Sequence, residues 1–228
     1  MINYTIKRSN RKTMAIHVLV DRVEVRVPYS VSQKEIESFV KEKEGWITES
    51  SKRLQETAIP KEKLILTYGD KVRVLDKEYT IVSEEGDMIG YSIENLEFFL
   101  SPDLEQRDFM YCIKRIYKLL AKRLLTEKIV EYAKVMDIIP TTVKISDAKK
   151  RWGSCNQHGI INFAWRLLLV DDYAVDYVVV HELAHMKMMN HSIDFWEYLE
   201  TILPDYLLRQ KRLQENAVRI YSEGWNDI

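Results

Sequence analysis

Glycine and proline are scarce, with 7 and 5 among 228 residues. Collagen-like repeats are thereby excluded, and long structureless linkers are argued against. Cysteine is scarcer still. Cys112 and Cys155 lie far apart and in no C-x-x-C spacing, so no disulfide framework is expected, and a reducing compartment suits them. No charge dominates, since 34 Lys and Arg face 35 Asp and Glu for a formal net charge of -1. Attraction of the whole molecule to nucleic acid or to an acidic membrane is not indicated. No apolar run approaches the roughly 20 residues that a bilayer-spanning helix needs. The first residues, Met1 to Arg8, contain no apolar stretch of signal-peptide length, so a cytoplasmic protein is expected.

What remains is ordinary globular composition, 46% hydrophobic and 30% charged, in a chain long enough for one large or two small domains. The first hundred residues read as strands with one inserted helix. Residues 2–8 and 13–20 are β-type runs around Ser9-Asn10-Arg11-Lys12, which reads as a hairpin turn. Residues 23–27 alternate as a half-buried strand that stops at Pro28. Ser32 and Glu35 form a capping-box pattern. Ile36, Phe39, Val40, Lys43, Trp46 and Ile47 follow at helical spacing. Further strands are expected at 71–75, 78–83 and 88–93, with turns at 76–77 and 84–87.

Beyond Pro102 the pattern becomes helical. Ile113, Ile116, Leu119, Leu120, Leu124, Ile129 and Tyr132 predict a long amphipathic helix over 103–136. Residues 142–146 and 160–165 read as strands on either side of Arg151-Trp152-Gly153-Ser154-Cys155, and a helix is expected over 171–189. Two more helices flank Leu203-Pro204. The expected fold class is α+β. A β-rich region with one helix (1–100) precedes a catalytic domain (101–228) with a small sheet and an active-site helix. The β-rich region, by its position, would control access or substrate choice.

The chemistry is concentrated in His181-Glu182-Leu183-Ala184-His185. Residues four apart share one helix face, so two imidazoles can address one tetrahedral ion. Glu182 lies one position around, placed to take a proton from water whose pKa the ion lowers. The run from Tyr173 to Val180 is apolar, and a buried helix needs a reason for two histidines and a glutamate. A catalytic zinc wants three protein ligands. His191 is the leading third candidate, with Glu197 and Glu200 on the next helix as rivals. For His191 to return to the site the chain must turn first. Asn190 suits a left-handed helix end, and Ser192 with Asp194 suits the next helix start. The 181, 185, 191 spacing equals that of metzincins. However, Met188 occupies their glycine position and no methionine follows Met189, so that clan is disfavoured.

Arg151-Trp152-Gly153-Ser154-Cys155, Trp165-Arg166-Leu167, the run from Asp176 to His185, Asn190-His191-Ser192 and Phe195-Trp196 together resemble the YgjP-like metallopeptidase family. That family is related to the SprT-like and WLM zinc peptidases. The resemblance, specific over roughly residues 145–207, implies a minimal zincin fold with His181, His185 and His191 as zinc ligands and Glu182 as catalyst. Pro204-Asp205-Tyr206 also fits the family pattern, whereas Asp171-Asp172 stand where relatives often carry proline. Zinc is the expected cofactor, although nitrogen ligands accept other divalent metals.

Some relatives are associated with nucleoside triphosphate hydrolysis, so the substrate is a peptide or protein, or alternatively a nucleotide. Lys149, Lys150 and Arg151 would serve the latter, with Arg151 the member facing inward; a solvated strand end is the plainer reading of that run. Tyr206 would donate to a developing oxyanion or anchor its helix. Trp152 and Cys155 read as packing residues and His158 as an exposed hairpin tip. Strand 160–165 would be the edge that pairs with an extended peptide. A non-catalytic zinc or nucleic-acid module is the third reading, and an intact Glu182 argues against it. Neither a membrane nor a nucleic-acid partner is expected.

Overall fold

A computed structural model of the protein describes residues 2–19, 22–56, 62–86 and 89–228. Val20, Asp87 and Met88, which fall in the expected strands and turns, lie outside the described residues. The chain divides into two compact units, Met1–Pro60 and Lys61–Ile228. The fold is α+β.

The first unit contains strands β1 (Tyr4–Ser9), β2 (Ala15–Val18) and β3 (Val23–Pro28), then helices α1 (Gln33–Glu42) and α2 (Glu44–Glu56). β1 and β2 do not form the expected hairpin. β3 lies between them, parallel to β1 and antiparallel to β2. The reason lies in β3 itself, whose Val23, Val25 and Val27 are buried against Ile36, Val40 and Ile47. On its opposite face Glu24 is 1% exposed and bonded by Lys7 at 2.5 Å and Arg26 at 2.6 Å, while Arg26 itself is exposed. A strand with a buried valine face and a carboxylate covered by Lys7 of β1 takes the centre of its sheet. The Ser32 capping box forms as the sequence predicts, with the Ser32 backbone N–H donating to Glu35 and the Glu35 N–H donating to the Ser32 hydroxyl.

The second unit begins with a four-stranded sheet of β4 (Lys71–Val74), β5 (Lys77–Ser83), β6 (Gly90–Ser92) and β7 (Glu97–Leu100), in the order β4-β5-β7-β6. Strand β7, unforeseen in the sequence, is an interior strand with Phe98 and Leu100 fully buried. Helix α3 (Gln106–Met136) has 31 residues, about 46 Å at 1.5 Å per residue. That length lets it pack against both the four-stranded sheet and a second sheet of β8 (Thr142–Ser146), β9 (Gly153–Cys155) and β10 (Ile160–Ala164). One continuous core runs from Val72 and Phe98 through Ile113 and Tyr117 to Trp165 and Leu183. The compositional change near residue 100 therefore falls inside this unit, between two elements that share a core.

The second sheet has the order β8-β10-β9. Strand β10 is thus central, paired on both sides, and the edge assigned to 160–165 belongs instead to β8 and β9. Apolar content on both faces explains the placement, since Ile161, Phe163 and Ala164 are all buried. β9 turns into β10 through a loop closed by the Asn156 side chain, which accepts from the backbone of His158 and Ile160 at 3.0 Å. Gly159, at a φ of 69°, supplies the left-handed residue of that turn. Trp165–Leu169 form a 3-10 turn that leads to α4 (Asp172–Ala184), α5 (Ile193–Ile202) and α6 (Tyr206–Ser222).

Helix α4 is apolar on nearly every side, which suits its position between α3 and α6. Asp171 caps it by accepting from the Ala174 N–H at 3.0 Å, and Arg212 and Asn216 of α6 hold the same carboxylate at 2.7 and 2.8 Å. Lys128 of α3 bridges Asp172 and Asp176 at 2.8 and 2.6 Å. The helix that carries the histidines is therefore fixed from both neighbours.

Candidate metal centre and active-site cleft

Helix α4 ends at Ala184, five residues before the expected end at 189. His185 is its C-cap, and the N–H groups of Met186, Lys187 and Met188 bond back to Leu183 and Ala184 carbonyls, tightening the last turn. The chain reverses there without a left-handed Asn190. Among the described residues, positive φ angles outside glycine fall at Leu75, Leu96, Asp103 and Asp137. Ser192 is the N-cap of α5, though its side chain makes no capping bond, and Asp194 lies in the first turn.

The reversal returns His191 to the face of His181 and His185. The His181 Nε2 lies 3.2 Å from the His185 Nε2 and 3.1 Å from the His191 Nε2, and ligand atoms of all three lie within 4.8 Å of one another. Two nitrogens bonded at about 2.0–2.1 Å to one tetrahedral zinc stand roughly 3.3 Å apart, so this spacing suits a shared ion. Glu197 and Glu200 are exposed on α5 and are not part of the cluster.

The protonation chemistry fits a cation as well. The His185 Nδ1 lies 3.1 Å from the Met188 carbonyl oxygen. A carbonyl only accepts, so Nδ1 carries the proton and Nε2 presents its lone pair. Burial, then the neighbouring His185 and His191, hold the His181 imidazole down at about 3. Burial also lowers His185. Both rings are neutral at physiological pH, as metal ligation requires. The His181 Nδ1 is buried with no hydrogen-bond partner among the described residues, so that ring is oriented by packing.

The packing comes from Phe195, fully buried, whose ring centroid lies 5.1, 4.8 and 4.9 Å from those of His181, His185 and His191. Trp196 stacks on His191 at 5.5 Å, and Tyr206 stacks on Trp196 at 5.7 Å. Tyr206 thus forms the outer layer of the wall behind His191.

Glu182 is 6% exposed. Burial pushes its carboxyl up to about 7, against the pull of the Arg151 guanidinium. Gly153 of β9 makes the close approach possible, because a Cβ there would lie 2.6 Å from the Glu182 Oε1. A cleft of about 370 Å³ opens beside this pair, lined by Arg151, Trp152, Tyr177, His181, Glu182 and Gln210 among others. The Gln210 amide donates to the Tyr177 hydroxyl at 3.3 Å. Of the three cations at 149–151, Arg151 alone lines the cleft. Lys149 and Lys150 line an adjoining pocket, with Lys149 donating to the Asn226 carbonyl at 2.6 Å. Burial and the Glu182 charge push the Cys155 thiol up to about 11, so it stays protonated and is no nucleophile. His158 is exposed at the hairpin tip.

Gly153, Tyr177, Phe195 and Trp196 entered the sequence reading only as parts of the family resemblance, with no individual role at the site. Tyr177 stands four residues before His181 and Phe195 four after His191, the helical spacing that puts each on a histidine's face.

Three convergent imidazoles with a buried carboxylate beside them define a site suited to a divalent metal. A family model described as "YgjP-like, metallopeptidase domain" matches residues 12–216, and the chain belongs to that family and is a metallohydrolase. Among solved structures it is similar to the metallopeptidase zymogen abylysin of Pyrococcus abyssi, at 20% identity over 40% of this chain and 93% of that one, with a TM-score of 0.38. It is also similar to the zymogen jannalysin of Methanocaldococcus jannaschii, at 19% identity over 43% of this chain and 95% of that one, with a TM-score of 0.34. No curated protein matches the chain. Among the described residues, no helix is long and apolar enough to cross a membrane.

Proposed function

We propose that the protein is a zinc metallopeptidase in which His181, His185 and His191 hold the ion and Glu182 is the general base. The observation that carries this reading is the convergence of three Nε2 atoms beside a single buried carboxylate. A bound zinc ion supplies Lewis acidity, lowering the pKa of water and polarising a carbonyl.

The chain's own groups do the rest. Glu182 accepts the proton of the attacking water and delivers it to the departing amine, a task suited to a carboxyl poised near neutrality. Arg151 keeps a positive charge beside it, favouring the ionised form that accepts the proton. The Phe195 and Trp196 rings hold the imidazoles without competing for their lone pairs. The substrate lies along β9. Among the described residues that strand pairs with β10 alone, and its start, Gly153, borders the cleft. An extended peptide adds to such an edge through backbone hydrogen bonds, which present a scissile carbonyl without demanding a particular sequence. Tyr206 serves as an anchor of the His191 wall.

Metal analysis of the purified chain, paired with cleavage of casein-derived peptides, tests the reading. One equivalent of zinc is expected, and Glu182→Gln should retain it while losing about 10³-fold in turnover. His191→Ala should lose metal affinity. Absence of bound metal after reconstitution, or unchanged cleavage by Glu182→Gln, would overturn it.

A further inference from the structure

Next to the cleft lies a second, smaller pocket of about 190 Å³, and Arg151, Trp152 and Ala217 line both. Four cationic side chains line it, Lys149, Lys150, Arg151 and Arg166, and no acidic residue does so among the described residues. The neighbouring carboxylate, Asp147, acts on Arg166 from outside the pocket and is itself bonded by Lys118 at 2.7 Å. Like charges gathered at this density repel one another unless an anion joins them.

Arg166 is the informative member. It is 2% exposed, and its guanidinium packs over the Trp165 ring at 4.4 Å. Its Nε donates to the Trp225 carbonyl at 3.0 Å and its Nη2 to the Ile228 oxygen. Its Nη1 is buried with no hydrogen-bond partner among the described residues. A buried charged donor left unpaired is costly, and a ligand oxygen would remove the cost. The two backbone bonds tie the C-terminal segment to the 3-10 turn and account for Nε and Nη2, whereas nothing in the fold accounts for Nη1.

We infer that this pocket is an anion subsite of the cleft, which receives a carboxylate of the peptide being cleaved, either an acidic side chain or the terminal carboxylate. The inference rests on the peptidase reading and adds to it a substrate class, peptides bearing an acid close to the scissile bond. The pocket, at about 190 Å³, has room for a carboxylate and shares the wall of Arg151, Trp152 and Ala217 with the cleft, so a peptide bound in the cleft brings its own acid beside it. With Nε and Nη2 engaged by the backbone, the Nη1 of Arg166 is the donor left for one oxygen of that carboxylate. Lys150, exposed on the rim, supplies the attraction that draws it in.

Calorimetric binding to the full chain as isolated, carrying Glu182→Gln so that peptides are not turned over, tests the subsite. The probes are an end-blocked tetrapeptide with one glutamate, its glutamine counterpart, a neutral tetrapeptide with a free terminal carboxylate, and inorganic phosphate. At least one carboxylate-bearing peptide should bind about tenfold more tightly than the blocked glutamine peptide, as expected for one charge-assisted contact. Which one does so identifies the source of the carboxylate. Lys150→Ala, on the surface, and Arg166→Gln, checked for folding by its melting curve, should each abolish that preference. A carboxylate that bound only to the metal would keep its preference in Lys150→Ala, and that result would overturn the inference. Equal affinity for all peptides would overturn it too, as would tight phosphate binding without discrimination among them. Wild-type kinetics separate the two readings. Cleavage without acidic preference removes the subsite and leaves the peptidase, whereas discrimination in binding without any cleavage leaves the subsite and removes the peptidase.

Discussion

Glu182 and Gly153 depend on each other in a way that can be measured. The carboxylate occupies the space where a side chain at position 153 would begin, so the smallest possible substitution acts directly on the proposed general base. Gly153→Ala should displace Glu182 by a few tenths of an ångström or more while leaving the histidines untouched. We expect zinc content to stay at the wild-type level and turnover to fall about 10²-fold, the order of loss that misplacement of a reacting group produces. Wild-type turnover in that variant would show that Glu182 has slack. Trp196 gives the complementary case. His191 is exposed and follows a reversal of the chain, and the stacked Trp196 ring orients it. Trp196→Ala should weaken zinc affinity roughly tenfold or more, as loss of outer-shell support does at metal sites. Competition with a chelating dye would measure it.

At the scale of elements, the stability of the first unit rests on two local devices. Ser32 caps α1 with both halves of the capping box in place, so Ser32→Ala should cost about 1 kcal/mol in chemical unfolding. Glu24 is the other device. The Lys7 ammonium, then the Arg26 guanidinium, hydrogen-bond its carboxylate and pull it from 4.5 down to about 2. A carboxyl depressed in the folded state stabilises above its unfolded pKa and loses that contribution as pH falls through the folded one. The stability difference between wild type and Glu24→Gln should therefore be constant above about pH 4.5 and vanish towards pH 2. Urea titrations of the two chains across that range would show it.

Both devices also mark what could be read beforehand. The capping box is a pattern of four adjacent residues and was legible. Glu24 was not, because alternation along 23–27 describes a strand with one wet face, and only the partner strand β1 brings the Lys7 that covers this one carboxylate. Strand partners in general escaped, as the misassigned hairpin and the misassigned edge at 160–165 show, since local periodicity is silent about neighbours in space. β7 escaped because four residues, entered through Leu96 at a φ of 56°, carry no glycine or proline signal. At the candidate metal centre the two histidines four apart were legible from helix geometry alone. His191 depends on a chain reversal, and that reversal is made without the left-handed Asn190 that the residue type suggests. Gly153, Phe195 and Arg166 act through tertiary approach, for which no local pattern exists.

At the scale of the molecule, the two units have separate hydrophobic clusters, one confined to residues between Ile2 and Ile47 and the other to residues from Leu64 onward. All three histidines and Glu182 belong to the second unit. A ligand that binds only the folded form stabilises the cooperative unit that holds it, by about 4 kcal/mol at a thousandfold excess over its dissociation constant. Zinc should therefore raise the unfolding transition of residues 61–228 and leave that of residues 1–60 where it was. Calorimetric scans of the full chain with and without zinc should show two transitions, one of which moves. A chain starting at residue 61 should reproduce the moving transition and keep its zinc. Truncation at residue 101 should abolish both, because Val72, Tyr79, Ile81, Phe98 and Leu100 of the four-stranded sheet fill the same core as Trp165 and Leu183. A single transition that moves as a whole would mean that the units unfold together despite their separate cores. Retention of zinc by the 101–228 fragment would mean that the site needs only the helices and the three-stranded sheet around it.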